Sequence, residues 1–290
     1  RAAYPGLDLK PQMGLLPIGS DPESKLWEFA HLLTGDPAVR GADGKLILTQ
    51  ATGVVLVLLP GGTFRMGAQA GEAQPKFDEN TASEPDPVHE VELSAYFLSK
   101  YEMTQGQWKR LTGSNPSRDG PDGNWQPEWL ASGAAPSLLH PVEQVSWWDC
   151  MNWLPRLSLS LPTEAQWECG ARGKTQTAYW PGSDPMLLQG VANVSDAYAR
   201  NHGGLALEAT RTSLDDGSTM HAPVDSYRAN AFGLHNVHGN VYEWCLDGYD
   251  RAFYAHPHGP DPVAPGVGDE PHVYRGGSYN SPAVVGRSSF

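Results

Sequence analysis

One stretch constrains this chain more than any other. Between Ala222 and Asp247, the amides and acids Asn236, Asn240 and Glu243 sit among the apolar residues Phe232, Leu234, Val237, Val241 and Trp244. Side-chain oxygens of Asn236 and Glu243, with backbone carbonyls freed by a turn at Gly239–Asn240, suit a hard cation such as Ca2+. The same residues also read as a Gly-Asn hairpin turn leading into a buried strand, with no ion at all. Local sequence leaves both readings open.

A length of 290 residues suits one large domain, or a domain with a smaller appendage. Ten Trp and a hydrophobic content of 40% supply a sizeable core, while 32 Gly and 25 Pro dictate a fold rich in turns and irregular segments. The formal net charge of -13 sets the chain against nucleic acid and anionic membrane surfaces, and leaves cationic partners or hard metal ions as its electrostatic complements. Cys150, Cys169 and Cys245 are odd in number and lack CxxC spacing, which points to a reducing, cytoplasmic compartment rather than a disulfide framework. The longest apolar run, Val54–Leu59, reads as a buried strand and is far too short to span a membrane. The chain opens on Arg1 with no signal-peptide pattern, as a fragment or processed product would.

Taken in order, residues 1–20 are Pro/Gly-rich and extended. Ser20-Asp21-Pro22 offers a cap and a first-turn proline, and Leu26, Phe29, Ala30 and Leu33 have helical spacing, so a helix is expected over 22–34, packed on the core. Leu46–Thr49 and Val54–Leu59 read as a hairpin, residues 68–87 as an acidic surface loop, and Val88–Leu98 as one strand. Gly61-Gly62 lacks the Lys-Ser/Thr and helix start of a phosphate cradle, and reads as a turn. Thr104, Ser146 and Thr163 each open a short helix, the first with capping-box spacing to Gln107. Cys150 and Cys169 fall on inner helical faces, as small buried residues. A polar, turn-rich loop is expected over 113–139. Residues 179–219 show almost no periodicity, which is unusual unless an ion or a function organises them. Val273–Tyr279 reads as a strand ending in a glycine pair.

These landmarks together resemble the formylglycine-generating enzyme family, the sulfatase-modifying-factor domain. The matching pieces are Gly61–Gly67, Tyr101–Thr104, Pro141–Trp147, Leu161–Glu168, Asn230–Leu234, Gly239–Trp244 and Arg275–Tyr279, spanning roughly residues 54–290. The resemblance implies an α+β architecture: a variant C-type-lectin fold with short helices, small antiparallel sheets and many irregular loops. Residues 1–53 stand as an N-terminal extension outside the motifs. It further implies structural calcium in two places. One set is Asn236 and Glu243 by side chain, with Gly239 and Val241 by carbonyl; the other is Asn193, Val194, Asp216 and Ser218.

The sequence departs from the family at the chemistry. Catalytic members bind Cu(I) through two cysteines following the Arg-Gly-Gly-Ser motif, and here those positions are Ser281 and Gly286. Cu(I) requires soft thiolates, which a serine hydroxyl and a glycine do not supply, so no copper is expected. The former pocket then becomes a groove for a protein, peptide or small ligand, bordered by Trp244, Arg275, Ser278, Tyr279, Ser281 and Arg287. The leading expectation is a non-catalytic recognition module, part of a larger multidomain or effector-linked protein. Domains of this type also scaffold retroelement-diversified variable proteins, whose varied surface would correspond to Tyr279–Phe290. The alternative is a related oxidoreductase using a different metal centre, through Cys245, the His256/His258 pair or an unseen cofactor. His235 and His238 are expected to pack or hydrogen-bond locally.

Overall fold

Strand β5 (Val55–Leu59) is buried at every position, and the largest sheet is built outward from it. A computed structural model describes residues 3–67, 88–122, 135–204, 213–266 and 270–289. The main sheet has the order β1-β2-β5-β8, with β1 Leu15–Ser20, β2 Trp27–His31 and β8 Tyr96–Ser99, all neighbours antiparallel. Three two-stranded ribbons surround it: β3 (Val39–Arg40) with β4 (Leu46–Ile47), β6 (Gly62–Met66) with β7 (His89–Leu93), and β9 (Glu243–Gly248) with β10 (His272–Arg275). With four short helices this is the expected α+β architecture. No helix among the described residues is long and apolar enough to cross a membrane.

The first three helices form where their caps dictate. Thr104, Ser146 and Thr163 each accept a hydrogen bond from the backbone N–H three residues on, and each receives the reciprocal side-chain bond of a full capping box. They start α1 (Gln105–Thr112), α2 (Trp147–Trp153) and α3 (Glu164–Arg172). Gly113 and Gly173 end α1 and α3 in the left-handed conformation that glycine adopts without strain. Helix α3 sends Trp167 into the central core, against Leu26, Val57, Leu59, Phe232, Leu234, Val237 and Cys245. A fourth helix, α4 (Ala197–Asn201), lies within the irregular segment after α3. That segment has a small core of its own in Tyr179, Leu188, Val191, Val194 and Leu214.

Three expectations are corrected. Residues 22–34 are not a helix. Asp21 accepts bonds from Glu23 N and Ser24 N as a cap would, but Lys25 turns to φ 61° and Asp21 N donates to Leu26 O, so the chain doubles back into β2. Strand pairing to β1 and β5 outweighs the helical spacing of Leu26, Phe29 and Ala30. The reason shows at Glu28: fully buried, it meets Lys100 Nζ at 2.8 Å and Arg40 Nη2 at 2.5 Å, partners distant in sequence. The hairpin of Leu46–Thr49 with Val54–Leu59 does not form either, since β4 pairs with β3 and β5 pairs with β2 and β8. Val88–Leu98 divides into β7 and β8 in different sheets, broken at Ser94, whose N and Oγ both donate to Asp261. The acidic loop at 68–87 and the middle of the 113–139 loop (123–134) lie outside the described residues.

Candidate functional site

The stretch that dominates the sequence forms a buried knot of amides and acids. Asn236, Gly239 and Asn240 all take positive φ (54°, 77° and 64°), winding the chain tightly. A side chain at Gly239 would run into the backbone oxygen of Asn193, and Asn240 N donates to that same oxygen at 2.8 Å. The two expected calcium loops are therefore stitched together at one point. Asn240 Nδ2 donates to both Glu102 oxygens at 3.0 Å, and Asn236 Nδ2 donates to Glu102 Oε2 at 2.6 Å. Burial, with repulsion from Glu243, pushes the Glu102 carboxyl well above the usual range; burial alone pushes Glu243 up to about 7.

In the second loop, Asp216 accepts bonds from Val194 N and Ser218 N, both at 2.9 Å. Its carboxyl is pushed up to about 7 by burial and then by Asp196. The chain thus winds tightly from Asn236 through Gly239 and Asn240, then passes Val241 to Glu243 at the start of β9, whose Oε2 accepts from Trp167 Nε1 at 3.0 Å; Val194, Asp216 and Ser218 meet in a second loop with Asn193 at the junction. The side-chain carbonyls of Asn193 and Asn236 are both buried without a hydrogen-bond partner. Amide oxygens and carboxylates are the kinds of oxygen that a hard cation takes.

The expected groove residues separate into two groups. Ser281 Oγ lies 2.8 Å from Ser278 Oγ and 3.0 Å from Tyr242 OH. Tyr279 reaches the other way, toward Asp119 Oδ2 at 3.4 Å and Arg118 Nη2 at 3.2 Å. Arg275 faces inward instead: its Nη1 meets Glu164 Oε1 at 2.6 Å, and its Nη2 meets Glu168 Oε2 at 2.8 Å. Arg287 is buried, its Nε donating to Val284 O at 3.0 Å. Trp244 donates to Val145 O and lines an interior cavity of about 350 Å³ with Leu56, Trp108 and Leu161. Across the β9–β10 ribbon Trp244 pairs with Tyr274, whose exposed ring packs edge-on against exposed Tyr242.

Ser281 Oγ is bonded to two hydroxyls, those of Ser278 and Tyr242. Gly286 packs against the backbone of the Gly276–Gly277 pair, and a Cβ there would come within 3.1 Å of Gly276 O. Cys150, Cys169 and Cys245 belong to or flank three different core clusters. Burial raises all three thiols, Cys150 to about 12 and Cys169 to about 11, against forming the thiolates that Cu(I) needs. Exposed His258 stacks on Phe253 and bonds its carbonyl oxygen at 2.7 Å, rather than pairing with His256. His238 accepts from Trp180 N and so donates from Nδ1 to Gly286 O, while His235 Nδ1 lies 2.8 Å from Tyr227 O.

Comparison with known proteins places this geometry. The model of the sulfatase-modifying factor enzyme 1-like domain matches residues 48–290. The chain belongs to this family. It is similar to the formylglycine-generating enzyme of Streptomyces coelicolor, 32% identical over 259 residues, covering 77% of this chain and 78% of that protein. A serine/threonine-protein kinase, pkn1 of Chlamydia caviae, is 30% identical over 243 residues, covering 78% of this chain and 33% of the kinase. Among solved structures, Treponema denticola variable protein 1 superposes with a TM-score of 0.60 at 21% identity, covering 85% of this chain and 91% of its own. PvdO from Pseudomonas aeruginosa gives a TM-score of 0.55 at 23% identity, covering 82% and 87%. Both neighbours share the fold, the C-type-lectin-like variant of this family.

Sequence reasoning missed four residues. Asp119, Glu143, His140 and His221 converge beside Tyr279, and Asp119, Glu143 and His221 place one ligand atom each within 4.8 Å of one another. His140 and Glu143 lie within or next to the Pro141–Trp147 motif, which was legible as a family landmark but not as a site.

Proposed function

We propose that this family member is a non-catalytic recognition module that holds a protein, peptide or small ligand beside Ser281. One observation carries the reading: the hydroxyl of Ser281, which the motif resemblance sets at a copper-cysteine position, is tied to Tyr242, which with Tyr274 forms an exposed aromatic face. Exposed aromatic rings on a rigid ribbon are the side chains that dominate binding surfaces. The kinase relative supports the same role, since the similar region occupies one third of that longer chain. The likeness to a variable protein is one of fold alone; here residues 281–289 are buried apart from half-buried Val284, which leaves Tyr279 and Asn280 as the part of that segment nearest the surface.

Structural calcium, held by Asn236, Gly239, Val241 and Glu243 and by Asn193, Val194, Asp216 and Ser218, would brace the loops under this face. Its part is to neutralise the buried carboxylates and fix the turns. Three free cysteines agree with a cytoplasmic setting, and the net charge of -13 with partners other than nucleic acid.

The test has two arms. Purified protein supplied with Cu(I), oxygen and a cysteine peptide is expected to give no aldehyde; copper-dependent turnover overturns the reading. Peptides selected from a random display library are expected to lose at least about tenfold in affinity for Tyr242→Ala or Tyr274→Ala, as side chains at the centre of an interface do. Unchanged affinity in both variants removes the aromatic face as the binding surface.

A further inference from the structure

We propose that Asp119, Glu143 and His221 bind a divalent transition ion of the zinc type, at a site separate from both calcium loops. The three residues come from the loop after α1, the segment before α2 and the run before β9, and one ligand atom from each lies within 4.8 Å of the others. Asp119 and Glu143 are already held close, because Asp119 N donates to Glu143 Oε1 at 2.7 Å.

A second observation, independent of this clustering, points to a ligand. His221 is buried, and its Nε2 has no hydrogen-bond partner. Its other nitrogen, Nδ1, lies 2.9 Å from Nδ1 of His140, so one proton is shared between those two atoms. With the proton on His221 Nδ1, His140 accepts it, and Nε2 of His221 keeps a bare, buried lone pair. Burial holds both imidazoles neutral, pushing His140 down to about 3 and His221 to about 4. A neutral imidazole whose far nitrogen is fixed by a neighbour is how proteins orient histidine metal ligands.

Charge favours the same conclusion. Among the described residues, two carboxylates and two neutral imidazoles are offset by Arg118, whose Nε and Nη2 bond Asp119 at 3.0 Å. One negative charge remains for a cation to meet. The imidazole selects against Ca2+ and Mg2+, which take oxygen ligands, and for an ion that accepts nitrogen and carboxylate together, as Zn2+ does. Three protein ligands leave an open position, and Tyr279, on the surface proposed for recognition, lies 3.4 Å from Asp119 Oδ2.

The experiment titrates Zn2+ into calcium-saturated protein by calorimetry, with Co2+ as a spectroscopic probe. One Zn2+ per chain is expected, together with a Co2+ spectrum free of thiolate charge-transfer bands. Affinity should fall about tenfold or more in Glu143→Gln and in His140→Ala, which acts by positioning His221. Glu143 is only half-buried, so Glu143→Gln should fold normally, with circular dichroism to check it. His256→Ala/His258→Ala should leave the titration unchanged. No uptake beyond calcium, unchanged binding in Glu143→Gln, or loss of binding in the His256/His258 variant each overturns the site.

Discussion

Replacing Arg275 with alanine tests whether this arginine faces a ligand or holds the fold. Its guanidinium bridges Glu164 at 2.6 Å and Glu168 at 2.8 Å, donates to Ser288 O at 2.5 Å, and lies 5.4 Å from the Trp167 ring centroid. Removing one partner of a buried ion pair costs about 3–5 kcal/mol, because the remaining charge is stranded. Two features place the cost at the lower end. Glu168 keeps Arg172 at 2.8 Å, and Glu164 keeps some contact with water. A loss of about 3 kcal/mol in urea unfolding is therefore expected, equivalent to about 5 °C in Tm for a domain of this size. Arg275→Lys should fall between the two, since it keeps the charge and loses the fork. The loss should persist at high salt, because buried pairs are weakly screened. A loss below about 1 kcal/mol, or a ligand-binding defect with full stability, would refute this account and return Arg275 to the binding surface.

Chelation should lower Tm if calcium fills the two loops, and added Ca2+ should restore it while Mg2+ does not. Equal Tm in both conditions would remove calcium from the structure. Thr163→Ala deletes one capping box and should cost about 1 kcal/mol, read by urea denaturation; no measurable change would mean that packing alone sets the start of α3. His31 is held below its ordinary range by burial, partly offset by its bond to Leu157 O. The unfolded chain therefore takes up its proton first, so this contribution to stability is complete above about pH 6.5 and is lost as pH falls below it. An NMR titration of His31 with a midpoint at or above 6.5 would contradict that sign.

Much of the site was legible because its signals are local. Thr104, Ser146 and Thr163 carry their capping partners three residues away, and Gly239–Asn240 is a turn signal in its own two residues. The seven ordered motifs gave the fold, since residues that must pack together keep their order and type. The expectation at Ser281 and Gly286 likewise rests on no coordinates, because the softness of a ligand is a property of its atom.

What the chain alone decided was therefore its family and the starts of α1, α2 and α3. Tertiary structure decided everything that depends on partners distant in sequence. Leu26, Phe29 and Ala30 have the spacing of a helix and became a strand, because Glu28 found Lys100 and Arg40, and β2 found β5. Arg275 turned inward to two glutamates on α3. Asp119, Glu143 and His221 became neighbours only when three loops met. Hydrogen bonds within a turn are written in adjacent residues, whereas burial and charge pairing depend on which surfaces the folded chain brings face to face.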